Sequence, residues 1–300
     1  MKARRDVAIT ATAADDTSLP TRGRLAQFAR FAKRNPTIVI GALLLAILIA
    51  LAVLAPWITV DPFRQTPANR LRPPSEKFWF GTDRYGRDVF ARTLYGARVS
   101  LIVGLSVALV SSVIGLLLGL MCGYFKRFDA IVMRVMDGLM AIPSILLAIA
   151  LITLSRPGLG IVITAIVIPE VPRIVRVVRS VVLSIKSQPY IESAIAGGTR
   201  TLKLLFRHIL PNTMAPLIVQ ATYICASAML IEAGLSFLGA GVPPEIPSWG
   251  NIIAQSRDFF QIAPWAILIP GGFLALTVLA VNMLGDGLRD RLDPRLARRM

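Results

Sequence analysis

Side chains that could do covalent or metal chemistry are scarce in this chain of 300 residues. His208 is the only histidine, and the two cysteines, Cys122 and Cys225, both lie within apolar runs. The sequence contains neither HExxH nor GxSxG, and no cysteine and histidine cluster that could bind zinc. We therefore predict no catalytic residue, cofactor or metal on this chain. The cysteines are expected to pack as small core residues without forming a disulfide.

A site for ATP is missing from the sequence as well. A phosphate-binding loop needs the pattern GxxxxGK[ST], and the nearest glycine cluster reads Gly197-Gly198-Thr199-Arg200. If ATP drives this protein, another chain must bind it. A membrane enzyme that works with carboxylates alone is an alternative, which the single histidine disfavours.

The composition indicates a membrane protein. Hydrophobic residues make up 55% of the chain and come in long runs, and a helix needs about 20 such residues to cross a bilayer core. Inside lipid the backbone must satisfy its own hydrogen bonds, so we predict an all-α fold. Six spans are predicted, at roughly Thr37–Ala55, Val99–Tyr124, Ile131–Leu154, Leu159–Leu183, Met214–Leu238 and Pro264–Leu284.

The distribution of basic residues predicts the orientation and argues against nucleic acid as a ligand. The formal net charge is +16, but Lys and Arg flank the apolar spans, as topology determinants do. No soluble basic domain with aromatic platforms is visible. The excess of Lys and Arg on one side predicts that both termini are cytoplasmic. The predicted external loop 56–98, with eight Lys and Arg residues, is an exception to this rule.

The segments around the spans receive separate predictions. The N-terminal residues are polar and predicted to be a disordered cytoplasmic tail, and an amphipathic helix on the inner leaflet is predicted to follow. A six-helix membrane domain comes next, and a cytoplasmic tail ends the chain. The predicted boundaries are 1–22 for the first tail, 23–35 for the surface helix, 36–285 for the membrane domain and 286–300 for the last tail. Within the membrane domain, the predicted loops are 56–98 and 239–263 on the external side and 184–213 on the cytoplasmic side.

The cytoplasmic loop 184–213 is far longer than a connection between two spans requires. Small residues run from Ser193 to Gly198, and an amphipathic stretch with several leucines follows. We predict a helix, a glycine turn and a second helix that ends at Pro211. The small residues would let a partner protein approach closely, and Glu192 could pair with a basic residue of that partner.

The spacing in this loop resembles the EAA loop of bacterial ATP-binding cassette (ABC) importer permeases, which are binding-protein-dependent inner membrane components. Ser193 takes the place of the usual second Ala and His208 that of the usual Ile, and the ending His-Ile-Leu-Pro-Asn resembles the dipeptide, oligopeptide and nickel branch in particular. The residues that the resemblance assigns to coupling with an ATPase are Tyr190, Glu192, Ala194, Gly198, His208, Leu210 and Pro211.

Four further stretches resemble the same family, in the same order along the chain. They are Phe80–Leu101, Met133–Pro143, Glu232–Gly250 and Leu284–Pro294. The resemblance covers about Leu25 to Leu296. It implies a type I ABC importer permease fold with six transmembrane helices, in the bacterial inner membrane.

The resemblance also implies the function and the partners. Short peptides (di- and oligopeptides) would cross by alternating access, and the EAA loop would form a coupling helix that docks on an ATPase subunit. The implied partners are a second homologous permease, two cytoplasmic ATPase subunits that bind ATP and Mg, and an extracytoplasmic substrate-binding protein, all in a lipid membrane and without nucleic acid. A nickel or glutathione importer of the same family, or a self-contained secondary transporter, is the alternative.

Ionisable residues inside a predicted span are candidates for function. Glu170 lies about 16 Å into the fourth span, where it either lines the pathway or pairs with an arginine such as Arg173; we favour the pair. Glu232, near the outer end of the fifth span, is a candidate for the pathway or for gating.

Two further interpretations concern basic residues near the membrane. Arg134 and Asp137 are three residues apart, a helical spacing that predicts a structural ion pair. Arg173, Arg176 and Arg179 form a stripe at the inner end of the fourth span, which we interpret as an anchor to anionic lipid head groups.

Overall fold

Helices make up the regular secondary structure of the residues that the structure, a computed structural model, describes: 32–33, 35–155 and 158–292. The predicted all-α fold is confirmed. The predicted tail 1–22 and most of the predicted surface helix 23–35 lie outside the described residues. In chain order the helices are α1 (Pro36–Ile58), α2 (Val89–Tyr124), α3 (Lys126–Ala141), α4 (Ser144–Thr153), α5 (Leu159–Lys186), α6 (Pro189–Ala196), α7 (Thr201–Leu204), α8 (Leu210–Phe237), α9 (Trp249–Ser256) and α10 (Trp265–Leu292).

Several of these helices are long and apolar enough to cross a membrane. They are α1, α2, the continuous helical run Thr201–Phe237 and α10, and the bent pair of α3 and α4 could form a fifth crossing. α5 has the length, but Glu170, Arg173 and Arg176 lie in its middle, where charges oppose insertion into lipid. The chain is therefore a multi-pass membrane protein, while the sixth span and the cytoplasmic termini stay predictions.

The predicted third span, Ile131–Leu154, is not one helix. α3 and α4 are bent by 90° at the break between them. Pro143 has no backbone N–H to continue the helix, and Ile142 before it has extended backbone angles, φ −94° and ψ 130°, as a following proline favours. The ten residues of α4 rise about 15 Å, which is half the thickness of a bilayer core.

Close packing of α2 against α5 depends on a stripe of glycines. Gly115, Gly119 and Gly123 face α5, and a Cβ added to Gly119 would lie only 2.6 Å from the Cβ of Val178. Real Cβ atoms do not approach this closely, so only glycine allows the two backbones this separation. The stripe therefore fixes the position of α5 and of the charges that α5 carries.

The second helix starts earlier than predicted. α2 begins at Val89, ten residues before the predicted start at Val99, so the loop is shorter than the predicted range 56–98. The Asp88 carboxylate caps α2 by accepting a hydrogen bond from the Phe90 backbone N–H (2.9 Å). Burial raises the pKa of Asp88, although hydrogen bonds from the backbone act in the opposite direction.

Two arginines of that predicted loop are buried inside the protein. The Nε of Arg87 donates to Asp83 (2.6 Å), and the guanidinium of Arg92 lies 3.6 Å from the same carboxylate. Arg87 also donates to Gln255 of α9 (2.6 Å). Both arginines bond to Gln255 of α9, so two of the eight basic residues in the predicted loop have a partner within the fold.

Candidate functional site

The 189–212 segment, which carries the resemblance to the EAA loop, folds as α6, a tight turn and α7. The turn is a Schellman motif, in which the Gly198 N–H bonds to the Ile195 carbonyl (3.0 Å) and the Thr199 N–H to the Ala194 carbonyl (3.1 Å). Gly198 has φ +76°, a left-handed conformation that L side chains rarely adopt. A Cβ at this position would meet no atom within 4 Å. Within this chain, glycine is therefore favoured at residue 198 by its backbone angle and not by lack of space.

Buried side chains attach the segment to the membrane helices. Ile191, Leu204 and Ile209 are completely buried in the same hydrophobic core as residues of α2 and α5. The hydroxyl of Tyr124, the last residue of α2, lies 3.4 Å from that of Thr201. The segment is therefore a packed part of the fold.

The outer face of the same segment is apolar and exposed. Leu202 is 69% exposed and Phe206 is 62% exposed, and both lie in a part of the chain rich in Arg and Lys. The two side chains are four residues apart on one helical face, so they form an apolar patch among charged residues that a partner protein could cover. The exposed residues of the segment include Tyr190, Glu192, Ile195, Gly198, Leu202 and Phe206.

The prediction that the second helix of this loop ends at Pro211 is wrong. Helical backbone continues from Thr201 to Phe237, because a π turn, Leu205–Ile209, comes just before the proline. In that turn the Leu210 N–H bonds to the carbonyl five residues back, which shifts the hydrogen-bond register before the residue that lacks an N–H.

The other predicted residues of the segment lie around this junction. Ala194, His208 and Leu210 are half-buried, and Pro211 is exposed. The side chain of Asn212 donates to the His208 carbonyl (2.7 Å). The sole histidine therefore contributes its backbone to the junction between the segment and α8.

Glu170 is completely buried in the middle of α5. Nη1 of Arg173 donates to both of its carboxylate oxygens, at 3.0 and 3.1 Å, which is the pair expected from their spacing. A buried carboxylate needs such a partner because an unpaired charge is very costly there. The Arg173 side chain stays 45% exposed, so the arginine is the accessible member of the pair.

Each arginine of the stripe has a carboxylate partner within the protein, while its role as a lipid anchor stays a prediction. Arg176 donates to Asp137 (2.6 Å), and Arg179 donates to both oxygens of Asp129, in one case at 2.7 Å. These two pairs join α3 to α5.

The predicted ion pair between Arg134 and Asp137 is wrong. Among the described residues, the ion pair of Asp137 is with Arg176. α3 packs against α5, and this arrangement brings a guanidinium from the neighbouring helix to the carboxylate. Spacing along one helix therefore predicted the wrong partner.

Glu232 is completely buried in α8. Its Oε1 accepts hydrogen bonds from the hydroxyls of Ser236 and Ser248, both at 2.8 Å. Ser248 also caps α9 by accepting from the Asn251 backbone N–H (3.1 Å). Glu232 therefore joins α8 to the start of α9, and its role in gating or in the pathway stays a prediction.

Sequence reasoning missed two features that hold α5 in place. The glycine stripe could have been found, because the pattern Gly-x3-Gly-x3-Gly at 115–123 is a known signal for close packing of membrane helices. The pair of Asp129 and Arg179 gave no such signal, since fifty residues separate them.

The chain is thus a multi-pass membrane protein with an exposed apolar segment between two of its long helices. The chain belongs to the family of binding-protein-dependent transport system inner membrane components, which matches residues 115–298. Residues 24–74 match the N-terminal TM domain of oligopeptide transport permease C.

Individual relatives place the chain among permeases of peptide ABC transporters. It is 60% identical to a probable peptide ABC transporter permease protein, y4tQ, of Sinorhizobium fredii, over 90% of this chain and 93% of that one. It is 44% identical to the dipeptide transport system permease protein DppC of Alkalihalophilus pseudofirmus (88% of each chain). It is 38% identical to the oligopeptide transport system permease protein OppC of Bacillus subtilis (88% and 87%). The chain is thus a permease subunit and not itself catalytic.

Proposed function

We propose that this chain is a permease subunit that moves short peptides across the bacterial inner membrane by alternating access, driven by ATP hydrolysis on partner subunits. The names of the relatives support peptides as the substrate class, since those proteins are named for peptide, dipeptide and oligopeptide transport. The observation that carries the proposal is the 189–212 segment, which is anchored by buried side chains on one face and exposes apolar ones on the other.

The segment is suited to docking on an ATPase. Leu202 and Phe206 can bury apolar area against a partner, which stabilises an interface, and Glu192 at the exposed face of α6 can pair with a basic residue of that partner. The helical run continues from Thr201 into α8. A displacement of the docked segment would therefore be passed directly to a membrane helix.

The other subunits follow from the family. A second homologous permease would complete the pathway, two cytoplasmic ATPase subunits would bind ATP and Mg, and an extracytoplasmic binding protein would deliver the peptide. The chain's own residues would bind no nucleotide, so their task is mechanical.

Reversal of charge at Glu192 tests the docking surface. Glu192→Arg should reduce the amount of ATPase subunit that co-purifies with the permease and should reduce uptake of a labelled dipeptide to a similar extent. Glu76→Arg is the matched control, because Glu76 is also exposed but lies in the predicted external loop. Full retention of the ATPase by Glu192→Arg, or uptake by the purified chain without ATP, would reject the proposal.

A further inference from the structure

Two adjoining cavities form a furrow between α5, α8 and α10. Their volumes are about 470 and 320 Å³, and both are lined by Gln220 and Tyr223. Ser227 of α8 and Asn282 of α10 extend the polar lining on one side. The three α8 residues are spaced by three or four positions, so they lie on one helical face.

This polar face lies on helices that cross the membrane. Gln220, Tyr223 and Ser227 belong to the helical run Thr201–Phe237, and Asn282 belongs to α10, both of which are long and apolar enough to span a bilayer. Exposure of several amide and hydroxyl groups to hydrocarbon is costly, and polar residues at this depth usually face a water-filled cavity or another helix. The furrow is therefore not a lipid-facing surface.

Arg173 provides the furrow with a cationic group whose donors are only partly used. The arginine lines the smaller cavity, and its hydrogen bonds to Glu170 all come from Nη1. A guanidinium has five N–H donors. Within the described part of the chain, Nε and Nη2 of Arg173 have no hydrogen-bond partner, and the side chain is 45% exposed.

The charged side chains that line the furrow are cations, and the carboxylate of Asp286 lies beside them, where it accepts a hydrogen bond from the Tyr223 hydroxyl. Among the described residues that line the two cavities, the charged ones are Arg173 and Arg289, and both are cations. Glu170 offsets part of the charge of Arg173, since the two lie 3.0 Å apart, but its carboxylate is completely buried and lines neither cavity, so the group presented to the furrow is the guanidinium. A planar guanidinium with free donors is the side chain best suited to bind a carboxylate through two hydrogen bonds.

We infer that this furrow lines the translocation pathway and that Arg173 binds the C-terminal carboxylate of the peptide in transit. This inference rests on the proposed function. Glu170 is a positioning residue, which holds the guanidinium by one nitrogen and leaves the other donors directed away from it. In this proposal Arg173, and not Glu170, contacts the substrate, since both oxygens of Glu170 accept hydrogen bonds from Arg173.

A pair of peptides that differ at one end tests the inference. Complete transporters (both permeases, the ATPases and the binding protein) are reconstituted in vesicles, and uptake of one peptide is compared with that of its C-terminal amide. The affinity of the binding protein for each peptide is measured separately. Arg173→Gln should lower uptake of the free acid about tenfold, as expected for loss of a charge-assisted hydrogen bond, and should change uptake of the amide less than about twofold. Arg173→Lys should give an intermediate value.

Two further variants exclude a merely structural effect. Arg176→Gln is the matched control, one turn farther along α5 and bonded to Asp137 outside the furrow, and it should affect neither peptide. Arg173→Gln leaves Glu170 buried without its partner, so the double variant Glu170→Gln with Arg173→Gln is needed to remove both charges. This double variant should again lower uptake of the free acid more than uptake of the amide.

The possible results are distinct. Equal losses for acid and amide in the single and double variants, or no loss, would overturn the role of Arg173 while leaving peptide transport intact. Failure of the unmodified transporter to take up either peptide would overturn the proposed function and this inference with it.

Discussion

Substitution of Gly198 separates two explanations for a glycine in the 189–212 segment. Close approach of a partner would require a small residue, as the sequence suggested. The structure supplies a different reason, the left-handed backbone with φ +76°. An L-residue in this conformation costs about 1–2 kcal/mol. Because a Cβ would meet nothing within 4 Å, this strain is the whole cost within the chain.

The two explanations predict opposite orders of stability for the turn in the alanine and asparagine variants. If the backbone angle decides, Gly198→Ala should cost about 1 kcal/mol, which is roughly a fivefold change in the ratio of formed to unformed turn. Gly198→Asn should cost less, because asparagine tolerates left-handed angles, and Gly198→Val should cost most. If the size of the side chain decides, alanine should be tolerated better than asparagine.

The assay is ATP hydrolysis by the purified complete transporter, stimulated by the peptide-loaded binding protein. We expect stimulated activity to fall in the order Gly198, Asn, Ala, Val at this position. Gly138→Ala is the control, since that glycine lies in the interior of α3 and also has no atom within 4 Å of an added Cβ. Higher activity of the alanine than of the asparagine variant would refute the argument from the backbone angle.

Two further predictions concern the attachment of α5. Gly119→Ala should lower the thermal unfolding midpoint in detergent, because its Cβ would overlap that of Val178 and overpacking costs about 1–3 kcal/mol; an unchanged midpoint would contradict it. Asp129→Asn should lower the midpoint more than Asp137→Asn, because the first carboxylate is 20% exposed and accepts two bonds whereas the second is 60% exposed. Equal shifts in the same thermal scan would show that exposure does not decide the strength of these pairs.

Hydropathy predicted the membrane helices well but not all of their ends. Long apolar runs are sufficient evidence for α1 and α10, since the bilayer dictates their length. The start of α2 at Val89 was missed because residues between it and Val99 include arginines, which an analysis of hydropathy assigns to water. Arg92 is buried beside Asp83, a contact that depends on how the segment between α1 and α2 folds.

The candidate site was only partly predictable. Spacing between neighbours gave the pair of Glu170 and Arg173, because three residues along a helix bring two side chains together. The same rule failed for Asp137, whose partner comes from another helix. Spacing also does not predict which member of the pair stays exposed. Packing buries Glu170 and leaves Arg173 accessible to the furrow.

Helical continuity from Thr201 to Phe237 relates the docking surface to the furrow. Phe206 on the exposed face and Gln220 in the furrow are fourteen residues apart, or about 21 Å along a helix. Coupling over such a distance requires a rigid element with more than one arrangement. Ile209 is completely buried in the π turn between them, so the core holds this element at its junction with α8. Under the proposed function, a partner that displaces Phe206 would tilt α8 and move Gln220, Tyr223 and Ser227 relative to Arg173 of α5, which would change the furrow without any chemistry on this chain.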